Sequence, residues 1–242
     1  MRNTVGASKQ GPVDAQGERA DEFLVGRQYD RWLTGWGPLS LYMRWYLRHR
    51  PARELPGLLG VLGTGPFARV LDVGCASGVY LEDLYRRGHG RTLLAGVDPG
   101  NEMIADAMRR LSRTVDEPAR LSLHVATSSS LPFAQDTFDV VICHGVIKYL
   151  DEASLVDYAG EAYRVLRPGG RMCVSDFTPA PGSRADAIAR LAHFDRSNLR
   201  DSPQVACVLV DAGFVGVVEF SLPKLRRFPF GQGGAAGSKP GR

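Results

Sequence analysis

Three groups of residues in this sequence carry chemistry. The first is Val70-Leu71-Asp72-Val73-Gly74-Cys75-Ala76-Ser77-Gly78. A β-branched run gives way to small residues, and an apolar helical spacing (Val79, Leu81, Leu84) follows as far as Gly88. Strand, small-residue turn and helix place a ligand over a helix N-terminus. Small residues are needed where backbone touches ligand, because a Cβ would intrude. Asp72 sits inside the strand run, where a charge is costly without a partner, so it calls for a ligand carrying a cation or amine. The second group is Asp98, 20 residues beyond Gly78 at the end of the run Thr92–Asp98. In a βαβ unit an acid at that distance accepts from both hydroxyls of a ribose. The competing reading is an N-cap for a helix that follows Pro99. The third is His144, just past the apolar run Phe138–Cys143. Residues beyond a central parallel strand point into the crevice. An imidazole there reads either as a general base or as a ring that packs beside the ligand.

These groups need strands and helices to hold them. Leu121–Val125 alternates and reads as a strand. Phe138–Cys143 is nearly all apolar, as a central parallel strand is. Arg171–Asp176 and Val215–Phe220 complete the set, and Phe228-Pro229-Phe230 reads as a poor edge strand because of its proline. Between them lie helical patterns: Ile104, Met108 and Leu111; Ser154–Leu166, ended by Arg167-Pro168-Gly169-Gly170; Ala185–Phe194; and Gln204–Ala212. Strands alternating with helices predict a doubly wound α/β fold, a Rossmann-like sheet of about seven strands.

Residues 1–20 read as a disordered polar tail. Residues 21–60 form an aromatic-rich helical cap holding all three tryptophans, with its second helix limited by Pro51 and Pro56. The main domain runs over 65–230, with a substrate-side insertion at 177–200, and the Gly-rich stretch 231–242 reads as a flexible tail.

In these motifs the chain resembles the class I S-adenosylmethionine-dependent methyltransferases of small-molecule type, over about residues 65–220. Leu71, Asp72, Gly74, Cys75 and Gly78 match the family's first loop, and Ala76 stands at its middle glycine. Gly96-Val97-Asp98-Pro99-Gly100-Asn101-Glu102-Met103 matches the second motif. Leu131-Pro132-Phe133 matches the third, with Thr127 and Ser128 where the family has Asp and Ala. Arg167-Pro168-Gly169-Gly170 is the family's helix stop. The resemblance implies S-adenosylmethionine as cofactor. Asp72, Gly74, Cys75, Ala76 and Gly78 would hold its methionyl end, Asp98 and Pro99 its ribose, and Thr127 and Ser128 its adenine. His144 would lie beside it, with His144 and Tyr29 on the acceptor side. A seven-strand methyltransferase sheet with an N-terminal helical cap is the implied fold.

Composition narrows the acceptor. The chain has 242 residues, 44% of them hydrophobic, and a formal net charge of +4. Arg is dispersed rather than gathered into a block, so no nucleic-acid partner is expected. The turn after Cys143 lacks the Asn-Pro-Pro-Tyr pattern used on bases. No apolar run is long enough to span a bilayer. Cys75, Cys143, Cys173 and Cys207 show no paired spacing, which predicts no metal site and free thiols in the cytoplasm. The aromatic cap predicts an apolar or aromatic metabolite as acceptor, a natural product or a quinone-like ring. RNA or protein methylation, or non-catalytic binding of S-adenosylmethionine, are the alternatives. The oligomer is expected to be a monomer or homodimer.

Overall fold

A computed structural model of the protein describes residues 41, 51–63, 68–87, 92–191, 195–222 and 230–241. The proposed tail at 1–20, most of the 21–60 cap, Tyr29, the last three residues of the expected helix Ala185–Phe194, and Phe228 and Pro229 of the expected edge strand lie outside them. Seven strands form one sheet: β1 Arg69–Val73, β2 Leu93–Asp98, β3 Leu121–Val125, β4 Phe138–His144, β5 Leu166–Phe177, β6 Val215–Leu222 and β7 Gln232–Ser238. Their order is β3-β2-β1-β4-β5-β7-β6. β1 to β5 pair in parallel, and β7 enters antiparallel to both β5 and β6. The order reverses between β1 and β4, and a crevice opens at the strand C-termini beside such a reversal.

Among the described residues the longer helices are α1 Pro51–Leu62, α2 Val79–Arg87, α3 Asn101–Leu111, α4 Glu152–Val165, α5 Ser183–Leu191 and α6 Ser202–Asp211. Leu55, Leu58 and Leu62 of α1, Leu81 and Leu84 of α2, and Ile104 and Leu111 of α3 pack against Val70, Ile142 and Cys173 on one face. Leu155, Tyr158 and Ala162 of α4 and Val205 and Leu209 of α6 cover Leu71, Val141 and Val174 on the other. β4, sheathed on both faces, is buried at every position. None of the described helices is long and apolar enough to cross a membrane.

One buried charge fixes the register. Asp139, near the start of β4, accepts the amides of Ala68 and Arg69 through Oδ2 at 2.7 and 2.8 Å. Its Oδ1 pairs with Arg167 Nε at 2.6 Å. A carboxylate placed so low in the sheet needs such partners, and its two amide bonds tie the first residue of β1 to β4.

Two expectations are corrected here. The Gly-rich stretch after 231 is not a loose tail: Gln232–Ser238 is an interior strand of the sheet. Glycine here answers crowding. A Cβ on Gly234 would lie 1.8 Å from the Val174 carbonyl oxygen, and one on Gly233 2.7 Å from Ser202 Oγ. Lys239 then latches the end, its Nζ donating to Asp136 Oδ1 at 2.7 Å and to the carbonyls of Tyr163 and Leu166. Pro56, read as a helix limit, lies inside α1. An internal proline costs about 3 kcal/mol; three fully buried leucines, Leu55, Leu58 and Leu62, each contribute about 1.5–3 kcal/mol on burial and offset it.

Candidate active site

The turn after β1 is built to bring backbone into the crevice. Gly74 and Gly78 have φ of 76° and 72°, a region that disfavours side chains. A Cβ on Gly74 would also meet Val146 Cγ2 at 2.1 Å. The amides of Gly74 and Cys75 both donate to the Val97 carbonyl, at 2.8 and 2.9 Å, which hangs the turn on β2. Ala76 adopts φ 45°, a conformation that explains why the resembled family has glycine there.

Asp98 closes the turn from the other side. Its Oδ2 accepts the Ala76 amide at 3.0 Å and its Oδ1 the Gly100 amide at 2.8 Å. The second contact orders the entry to α3, but the N-cap of that helix is Gly100 and no side chain caps it, so Asp98 is not its N-cap. Pro99 follows, half-buried.

Register and strand alternation put the sequence-derived acids and histidine on one face. Asp72 pairs with Gly96, two residues short of Asp98, and with Ile142, two short of His144. Cys75 lies among them: burial, then the charges of Asp98 and Asp72, push its thiol well above the usual range. Thr127 and Ser128 are buried in the loop after β3. That loop is pinned by α4. Glu161 Oε2 accepts the Leu131 amide at 2.8 Å, and Arg164 donates to the carbonyls of Leu131 and Phe133 at 3.0 and 2.7 Å.

His144 sits at the C-terminal end of β4 with both ring nitrogens engaged. Nε2 pairs with Glu54 Oε2 at 2.7 Å, and Nδ1 lies 2.5 Å from Ser175 Oγ. Its side chain is 1% exposed. Tyr80 donates its hydroxyl to the same Glu54 oxygen, and Gln232 Nε2 donates to Glu54 Oε1 at 2.8 Å. Sequence reasoning missed Glu54, Tyr80, Ser175 and Gln232. A signal existed for Glu54, which shares the i, i+4, i+8 spacing of Leu58 and Leu62 and so falls on a buried face. For Gln232 there was none while its strand read as a tail.

A second buried pair was also missed. Lys148 Nζ reaches the Gly145 carbonyl and lies 3.3 Å from Asp176 Oδ1. It sits 4.4 Å from the Tyr149 ring centroid and 5.3 Å from that of Phe177. Asp176 also accepts the Lys148 and Phe177 amides, at 3.0 and 2.7 Å. This pair stiffens the turn beyond β4.

These residues fit a sulfonium nucleoside. A glycine turn without large side chains at the start of α2, Asp72 on the shared face and a buried Asp98 on the neighbouring strand match its amino-acid, cationic and diol parts.

A family profile described as a methyltransferase domain matches residues 70–170. Phosphoethanolamine N-methyltransferase 1 of Triticum aestivum is 27% identical over 150 residues, which is 62% of this chain and 29% of that protein. The ubiquinone/menaquinone biosynthesis C-methyltransferase of Geotalea daltonii is 29% identical over 114 residues, 47% of each chain. The chain thus spans half or less of the length of these curated relatives. Among solved structures, the N-methyltransferase NodS of Bradyrhizobium japonicum in complex with S-adenosylhomocysteine superposes with a TM-score of 0.65 at 19% identity, covering 89% of this chain and 98% of that one. That likeness concerns the fold.

Proposed function

We propose that this chain, which belongs to the class I S-adenosylmethionine-dependent methyltransferase family, transfers a methyl group from that cofactor to a small apolar or aromatic metabolite. The observation that carries the reading is the clamp of Asp98 on Ala76, which joins the diol-binding acid to the glycine turn. When bound, the cofactor supplies a methyl carbon made electrophilic by its sulfonium charge. The chain's residues bind and orient. The Gly74–Gly78 turn, with Cys75 and Ala76 in it, and Asp72 hold the amino-acid end. Asp98 and Pro99 hold the ribose side, and Thr127 with Ser128 the adenine. His144 is assigned to the acceptor side, where a fixed acceptor gains rate by alignment, and Tyr29, outside the described residues, is proposed for the same side from the sequence.

Support for an apolar acceptor comes from Tyr149 and Phe177 near the ends of β4 and β5, from Tyr80 of α2, whose ring lies 5.3 Å from that of His144, and from the quinone-pathway relative. Four free thiols fit a cytoplasmic enzyme. The test is incubation with methyl-labelled S-adenosylmethionine and a metabolite, RNA and protein extract. Label in a low-mass apolar fraction is expected. Label confined to RNA or protein would overturn the acceptor class, and no label in any fraction would overturn transfer.

A further inference from the structure

Glu54 occupies a place that its own helix does not explain. It is 4% exposed and gathers donors from three other elements: Tyr80 of α2, His144 of β4 and Gln232 of β7. A buried carboxylate persists only where such donors satisfy it. The partners also set the histidine. Glu54 accepts only if Nε2 carries a proton, so in the neutral ring Nδ1 is the acceptor and Ser175 Oγ–H the donor. Tyr80 stands two residues after Gly78, in the first turn of α2, so its hydroxyl anchors the helix whose N-terminus faces the crevice.

We propose that Glu54 is a positioning residue that couples the methyl-donor turn, through Tyr80, to the acceptor-side His144. The coupling rests on the methyl-donor reading given above. One carboxylate oxygen is shared by the two, so anything that reorients Tyr80 changes the acceptor that His144 sees. Residue 54 enters from α1, upstream of the glycine turn, so the segment before β1 supplies part of the site. Binding at the turn and the setting of His144 are then one event. A merely structural Glu54 would lower stability without linking the two readouts.

The experiment uses the full chain with S-adenosylhomocysteine as probe, and the variants Glu54→Gln, Tyr80→Phe and their double. Calorimetry gives the dissociation constant. NMR follows the ring N–H of His144 among the five histidines, assigned by its loss in His144→Gln. We expect a downfield, slowly exchanging His144 resonance in the wild-type protein, displaced in both single variants. Binding should weaken by about tenfold in each, and by no more in the double, since coupled residues do not add. Additive losses, or binding within about twofold of wild type in both singles, would overturn the coupling. So would a wild-type spectrum lacking the resonance. Tyr80→Phe removes one hydroxyl only and keeps the test open if Glu54→Gln fails to fold. A wild-type protein that shows the resonance but binds no probe sinks the cofactor reading and the coupling together. Wild-type binding with unaffected variants sinks the coupling alone.

Discussion

Asp98 Oδ2 accepts the amide of Ala76 at 3.0 Å, across 22 residues of chain, while Ala76 holds a φ of 45°. The two facts belong together. A left-handed alanine is strained, and the hydrogen bond to a buried carboxylate is one of the contacts that keep it there. Strain of this kind gathers at sites where backbone must meet a ligand.

Replacing Ala76 by glycine should therefore relieve strain without disturbing the clamp. The left-handed conformation costs an L-residue about 1–2 kcal/mol, and the extra freedom of glycine in the unfolded chain returns about 0.4–1 kcal/mol of that. Ala76→Gly is expected to raise stability by about 0.5–1 kcal/mol, a melting shift of about 1–4 °C in a chain of this size. S-adenosylhomocysteine binding should stay within about twofold. A lowered melting temperature would mean that the turn is not strained.

Gly234 and Gly160 should respond in opposite ways to alanine. In β7 the new Cβ would strike the Val174 carbonyl oxygen at 1.8 Å, whereas nothing lies within 4 Å of one on Gly160 in α4. Gly234→Ala should cost about 3 kcal/mol or more, and Gly160→Ala should gain about 0.5–1 kcal/mol. Urea unfolding of both variants checks this. Equal, small effects would contradict an interior β7.

Acid should loosen the loop that carries Thr127 and Ser128. Arg164, then the Leu131 amide, hold the Glu161 carboxyl below the usual carboxylate range. A depressed carboxylate contributes stability above its unfolded pKa of about 4.3 and loses it as pH falls through the lower native value. Glu161→Gln should cost about 1 kcal/mol at pH 7, and the two stability curves should converge below about pH 4. A constant gap down to acid pH would remove Glu161 as the cause.

Thiol chemistry should sort the cysteines by burial. Cys75, Cys143 and Cys173 are buried and Cys207 is exposed. Burial raises the first three thiols well above their ordinary value, so little thiolate is present at pH 8. A disulfide reagent should titrate Cys207 quickly, and the others only after unfolding in denaturant. Rapid reaction of Cys75 in the native protein would mean that the glycine turn opens.

The legible parts of this molecule are local. The glycine turn and Asp98 announce themselves within a few residues, and β1 to β4 and β6 fall close to where the apolar runs place them, whereas β5 begins five residues early, at Leu166, and takes in the Arg167–Gly170 segment read as a helix stop. What escaped the sequence acts at long range. Glu54 meets His144 across 90 residues and Gln232 across 178, and no periodicity encodes which donor a buried acid will meet. β7 was missed for a different reason. Its glycines read as linker composition, but a Cβ on Gly234 would strike the Val174 carbonyl oxygen and one on Gly233 would crowd Ser202 Oγ and the Phe220 carbonyl oxygen. The alanine at position 76 was visible as a departure from the family's loop, and only the backbone shows that it keeps a glycine's conformation.

The most direct test is calorimetric titration of S-adenosylhomocysteine into the wild-type protein and Asp98→Ala, each confirmed folded by its thermal melt. The account predicts saturable one-to-one binding by the wild type, and affinity reduced by about a hundredfold or more in the variant, because the diol loses its acceptor and the turn its clamp. Equal affinity in the two proteins would contradict it.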